Sequence, residues 1–90
     1  MKYTLRLTND KNKEVAKFSV HREKDTPEHQ TIYSMIDYLQ RVIVPQVCDE
    51  YNVTFADVYN YQFTIEKNLT DKYVYMQYTR AHKKLQKFVL

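Results

Sequence analysis

The residues able to do chemistry are few, and they are scattered. His21, His29 and His82 fall in three separate segments, without the HxxxH or HExxH spacing that places two imidazoles on one helix face around a metal. Cys48 is the only cysteine. Asp49 and Glu50 follow it directly, and their charge raises a neighbouring thiol's pKa, which is the wrong direction for a nucleophile. The same two carboxylates, adjacent on a helix, point about 100° apart, a poor geometry for shared acid and base work. With no glycine in the chain, a Walker loop, a dinucleotide-binding GxGxxG turn and a GxSxG nucleophile elbow are all excluded. The sequence therefore points to a non-enzymatic chain with no metal and no cofactor.

What remains is surface chemistry. Tyr occurs nine times and Trp never, and a tyrosine pairs an apolar ring with a hydroxyl that needs a partner or water. Tyr33, Tyr38, Tyr51, Tyr59, Tyr73 and Tyr75 fall near or on the expected surface. Aromatic rings are enriched in protein interfaces, so Tyr33, Tyr38, Tyr73 and Tyr75 are candidate partner-binding residues. The formal net charge is only +3, but it is unevenly distributed. Residues 2–24 carry seven basic and three acidic side chains, residues 25–71 two and eight, and residues 72–90 five and none. The ends are cationic and the middle anionic. Lys2, Thr4, Arg6, Lys17, His21, Tyr73 and Tyr75 would share the outward face of a sheet, a surface suited to single-stranded nucleic acid through phosphate contact and base stacking. Arg80, Lys83, Lys84 and Lys87 would extend it on a C-terminal helix. A plainer role for such lysines is a solvated strand face that resists edge-to-edge aggregation. No RNA-recognition sheet signature is present to decide for nucleic acid.

Ninety residues suit one domain, 1–90, and 43% hydrophobic with 28% charged residues is the composition of a folded soluble protein. Tyr3, Leu5 and Leu7 alternate with polar residues and predict a strand buried on one face. The cluster Asn9-Asp10-Lys11-Asn12 predicts a turn. Ala16, Phe18 and Val20 then supply the return arm of a hairpin. Without glycine, this turn must use Asn or Asp for any positive φ.

Asp25-Thr26-Pro27-Glu28 predicts a helix start, with Asp25 or Thr26 as cap and Pro27 in the first turn. Ile32, Met35, Ile36, Leu39, Val42, Ile43 and Val47 recur at helical spacing and predict a wide buried stripe. Ser34, Asp37, Arg41 and Pro45 lie opposite. Pro45 leaves the Arg41 carbonyl without its bond, so a bend or break is expected near Val44. Thr54 to Asp57 matches a capping box opening a short helical turn. Tyr61, Phe63 and Ile65, a turn over residues 67–71, and residues 73–79 predict a second hairpin. Residues 80–90 fit either a helix or an edge strand, and their basic face favours helix.

The expected fold is α+β, an antiparallel sheet of two hairpins with a long bent helix packed on one face, in the order β-β-α-(α)-β-β-α. The leading functional expectation is a small protein-interaction module that binds or occludes a protein partner and is able to self-associate as a homodimer. Lys over Arg, with abundant Tyr and Asn, suits a bacterial or phage accessory protein. The alternative is a nucleic-acid-binding protein using Lys2, Arg6, Lys17, Arg80, Lys83, Lys84 and Lys87. One cysteine and no apolar leader suggest a reducing, cytoplasmic setting with no membrane association. On the same ground the sequons at Asn52 and Asn68 count as chance.

Overall fold

The computed structural model describes residues 1–67 in full, and the backbone of Lys72–Thr79 and Lys84–Val89. The class is mixed α+β, with an antiparallel sheet lying against one long helical rod. β1 (Lys2–Thr8) pairs with β2 (Glu14–His21) on one side and with β3 (Gln62–Lys67) on the other, both antiparallel. The backbones of β4 (Lys72–Thr79) and β5 (Lys84–Val89) follow beyond β3, in the order β2-β1-β3-β4-β5. The tail favoured as helix is thus a strand over Lys84–Val89, its Leu85 and Val89 in register with Tyr78 and Val74. The connection expected to close the second hairpin lies outside the described residues.

The first hairpin turns on Asn9. Its side-chain Oδ1 accepts from the Lys11 and Lys13 amides at 2.9 and 3.0 Å, and its amide donates to the Lys13 carbonyl. Asn12 takes φ 62° and Asn52, ending the rod, φ 53°. Both left-handed positions fall to asparagine, the side chain other than glycine that tolerates them best. One feature of the hairpin escapes the alternating pattern. The register shifts between Leu7, opposite Ala16, and Thr8, opposite Glu14. This bulge leaves Val15 without a partner and turns it into the core at 9% exposure. Strict alternation had assigned only Ala16, Phe18 and Val20 to that layer, and these are half-buried.

The rod is continuous from Glu28 to Tyr51, but it is not one regular helix. α1 (Glu28–Tyr38) passes into a π turn at Leu39–Ile43 and then into α2 (Val44–Tyr51). The Val44 amide donates to the Leu39 carbonyl, five residues back, and Pro45 falls in the first turn of α2. A wider turn just before Pro45 accommodates a ring that would collide with the carbonyl four residues earlier. The expected irregularity is therefore a π turn. It also brings Val44 into the core beside Ile43. The start differs too. Pro27 itself is the N-cap, with ψ 132°, and neither Asp25 nor Thr26 caps by side chain.

Tyr3, Leu5 and Leu7 of β1 and Phe63 and Ile65 of β3 meet Ile32, Met35, Ile36, Leu39 and Val47 of the rod in one cluster. Leu5 has no exposed surface. α3 (Phe55–Val58) follows the rod and adds Val58. Within this layer the Thr31 hydroxyl is fully buried and has no hydrogen-bond partner among the described residues.

Two stability outcomes follow. An unpaired buried hydroxyl costs on the order of 1 kcal/mol or more, so Thr31→Val should raise the urea midpoint by the equivalent of about 1 kcal/mol at unchanged slope; a lowered midpoint contradicts the packing. Asn52→Ala should cost about 1 kcal/mol, because alanine resists the left-handed backbone that glycine accepts freely. Asn52→Gly should then be close to neutral by thermal unfolding, and equal losses for the two variants would contradict the assigned conformation.

Candidate functional site

The hydrogen-bond phase of the first hairpin decides which edge of the fold is open. The Arg22 amide donates to the Met1 carbonyl at 2.8 Å, and the Met1 amine donates back to the Arg22 carbonyl at 2.7 Å. This pair faces inward, so alternate pairs along the ladder do the same: Tyr3 with Val20, Leu5 with Phe18, Leu7 with Ala16. The amides and carbonyls of Lys17, Ser19 and His21 therefore point away from β1. β2 is the terminal strand of the sheet among the described residues, and these three residues form its outward hydrogen-bonding edge, each with an exposed side chain and the His21 carbonyl accepting from Arg22.

A groove of about 340 Å³ runs beside that edge, between β2 and the rod. Its β2 side is Phe18, Ser19 and Val20, and its helical side includes Met35, Tyr38 and Arg41. Tyr38 is 42% exposed and packs on Phe18 with ring centroids 4.9 Å apart, tilted by 59°. Arg22 reaches across the groove end, donating to the Ser34 hydroxyl at 3.4 Å and to the His21 carbonyl at 3.0 Å. Arg41 is joined to Asp37 one turn away at 2.7 Å. Two aromatic rings thus lie between arginines beside an outward strand edge. Interface cores are enriched in these residue types.

The opposite face of the sheet carries the expected cations, under different conditions. Lys2, Arg6 and Lys17 do share it, and Lys2 and Lys17 are exposed. Arg6 is held between Glu14 of β2 (3.2 Å) and Glu66 of β3 (2.5 Å), so its charge is largely answered within the sheet. Each carboxylate sits diagonally across from Arg6, a relation set by strand register, which a one-strand reading cannot supply. Thr4, expected on the open surface, is 4% exposed, covered by flanking strands and hydroxyl to hydroxyl with Ser19 at 2.9 Å. Tyr75 and Tyr73 are in register with Thr64 and Glu66. Lys84 is in register with Thr79 and Lys87 with Met76. Arg80 and Lys83 lie outside the described residues. Tyr33 projects from α1 at 63% exposure.

A second hollow, about 360 Å³, lies under the hairpin turn, with Asp10, Asp57, Tyr51 and Tyr61 among its lining. Partial burial, with Asp10 and Asp57 nearby, pushes the Tyr61 hydroxyl above its ordinary pKa. Burial, reinforced by Asp49 and Asp57, likewise raises the Cys48 thiol and keeps it protonated. Neither group is activated. Asp57 moves the other way: its carboxylate accepts from the Thr54 amide at 3.0 Å, and this bond first, then the Thr54 side chain, lowers its pKa; the Thr54 hydroxyl in turn accepts from the Asp57 amide at 3.2 Å. The predicted capping box is complete. Among the described residues, no three His, Cys, Asp or Glu side chains converge as metal ligands, and no helix is long and apolar enough to cross a membrane.

Comparison with protein-family models, curated proteins and solved structures finds no match for the chain.

A carboxylate whose folded pKa is depressed stabilises the fold above its unfolded pKa, and the benefit disappears as pH falls through the folded value. Asp57→Ala should therefore lower the thermal midpoint most near neutrality, with the gap to the parent chain closing below the ordinary carboxylate range. A gap that persists unchanged into strong acid would contradict the capping bond.

Proposed function

We propose that this chain is a non-enzymatic protein-interaction module that engages its partner through the groove between β2 and α1. The observation that carries the reading is the coincidence of three things in one place: an open strand edge, the exposed Tyr38 ring on Phe18, and flanking Arg22 and Arg41. Aromatic and arginine side chains supply most of the energy in protein interfaces. The reading keeps the two-hairpin sheet and a cytoplasmic setting. It also keeps self-association within reach of the same surface.

Nucleic-acid binding through Lys2 and Lys17 is the competing reading, and the carboxylates on Arg6 weaken it, because they remove a phosphate-binding charge from the middle of that face. One experiment separates the two. A displayed protein and peptide library is selected on the chain, and in parallel labelled single- and double-stranded oligonucleotides are titrated at two salt concentrations. The proposal expects selected binders that lose at least tenfold in affinity to Tyr38→Ala, and no oligonucleotide binding. Oligonucleotide binding that weakens steeply with salt, with no Tyr38-dependent binder recovered, would overturn it.

A further inference from the structure

We infer that the groove takes an extended acidic segment of a partner protein, added as a sixth strand against the free edge of β2. The inference rests on the interaction reading above and names what that surface recognises. Three observations converge on it.

The first is backbone geometry. An incoming strand needs a row of outward amides and carbonyls, and Lys17 and Ser19 present both at two-residue spacing along β2, followed by the His21 amide, the His21 carbonyl being taken by Arg22. Strand addition to a sheet edge takes its affinity from those bonds and its specificity from alternate side chains. The second is the difference between the two faces the new strand would share. On the side toward the rod its side chains would lie over Phe18 and Val20 and against Tyr38, so apolar residues fit there. On the other side they would stand beside Lys17 and His21, so acidic residues fit there.

The third is charge. Lys17 and Arg22 stand at the site, and the Asp37 carboxylate that lines the groove is paired with Arg41. A second copy of the chain fits less well. Antiparallel self-pairing centred on Lys17 opposes two like charges, and any self-pairing brings the Lys17 and Arg22 of both copies to one seam. Directly opposed like charges destabilise a sheet pair. An alternating acidic and apolar segment meets neither obstacle.

The test uses the full chain and a fluorescein-labelled peptide of four Val-Glu repeats, read by anisotropy. Two peptide controls are four Val-Lys repeats and the Val-Glu peptide with a central proline. The chain is also studied as Ser19→Pro and Ser19→Ala. Proline at 19 removes one outward amide, which β1 does not use, and is tolerated on an edge strand. Alanine removes only the hydroxyl that meets Thr4. Circular dichroism checks that each variant is folded.

The inference expects saturable binding of the Val-Glu peptide, at least tenfold weaker for both peptide controls and for Ser19→Pro, with Ser19→Ala close to the parent chain. Equal binding of the Val-Glu and Val-Lys peptides, or binding indifferent to proline in the peptide, overturns it. So does light scattering that shows a dimer abolished by Ser19→Pro, since the edge would then be occupied by a second copy. If library selection yields Tyr38-dependent binders while the Val-Glu peptide fails, strand addition falls and the interaction surface stands. If both fail, the two fall together.

Discussion

β1 is the strand on which the rest of this structure depends. It is hydrogen-bonded on both sides, to β2 and to β3, and its Tyr3, Leu5 and Leu7 lie under the helical rod with almost no exposed surface. A strand so enclosed has its register fixed, because a slip of one residue would send those three side chains to the opposite face. Once β1 is fixed, the hydrogen-bond phase of β2 is fixed with it. The outward row of Lys17, Ser19 and His21 is thus a consequence of how the core is built, and the open edge cannot be lost without disturbing Leu5.

The same constraint separates the two faces of the sheet chemically. One is apolar and covered. The other is held by small polar devices: the Thr4 and Ser19 hydroxyls across one strand pair, and Arg6 spanning three strands between Glu14 and Glu66. These half-exposed ion pairs contribute little stability individually, on the order of 0 to 1 kcal/mol each. Their larger effect is electrostatic, since they cancel charge in the middle of a face that the residue count alone would make strongly cationic. Among the described residues, Lys17 and Arg22 keep positive charge at the β2 edge beside the groove, while Arg41 there is answered by Asp37.

Much of this was legible along the chain, and the parts that were not share a cause. Period-two alternation located β1 and β3, helical spacing located the stripe from Ile32 to Val47 except for Val42, which is only half-buried, and the Thr54 and Asp57 pattern located a true capping box. Asn12 was foreseeable once glycine was seen to be missing from the hairpin turn, whereas nothing in the spacing marked Asn52 at the end of the rod. The signals that failed were those in which one residue is inserted into a regular period. The bulge turns Val15 inward, and the π turn adds Val44 to the core. Both break the pattern by which buried residues are recognised. Pro27 acts as N-cap because its own ψ is extended, a choice that composition does not reveal. Residues 84–89 fit both periods and are extended in the structure, where the partner strand β4 decides the matter. The groove was invisible for a different reason: Tyr38 was singled out, but its neighbour Phe18 and the direction of the β2 amides depend on which strand lies beside which.

The account stands or falls on the open edge of β2, and amide hydrogen exchange on the free chain reads it directly. Exchange should alternate along that strand, slow at Ala16, Phe18 and Val20 and fast at Lys17, Ser19 and His21, with β1 protected throughout. Uniform protection along β2, or fast exchange at Phe18 and Val20 with slow exchange at Ser19, would contradict it.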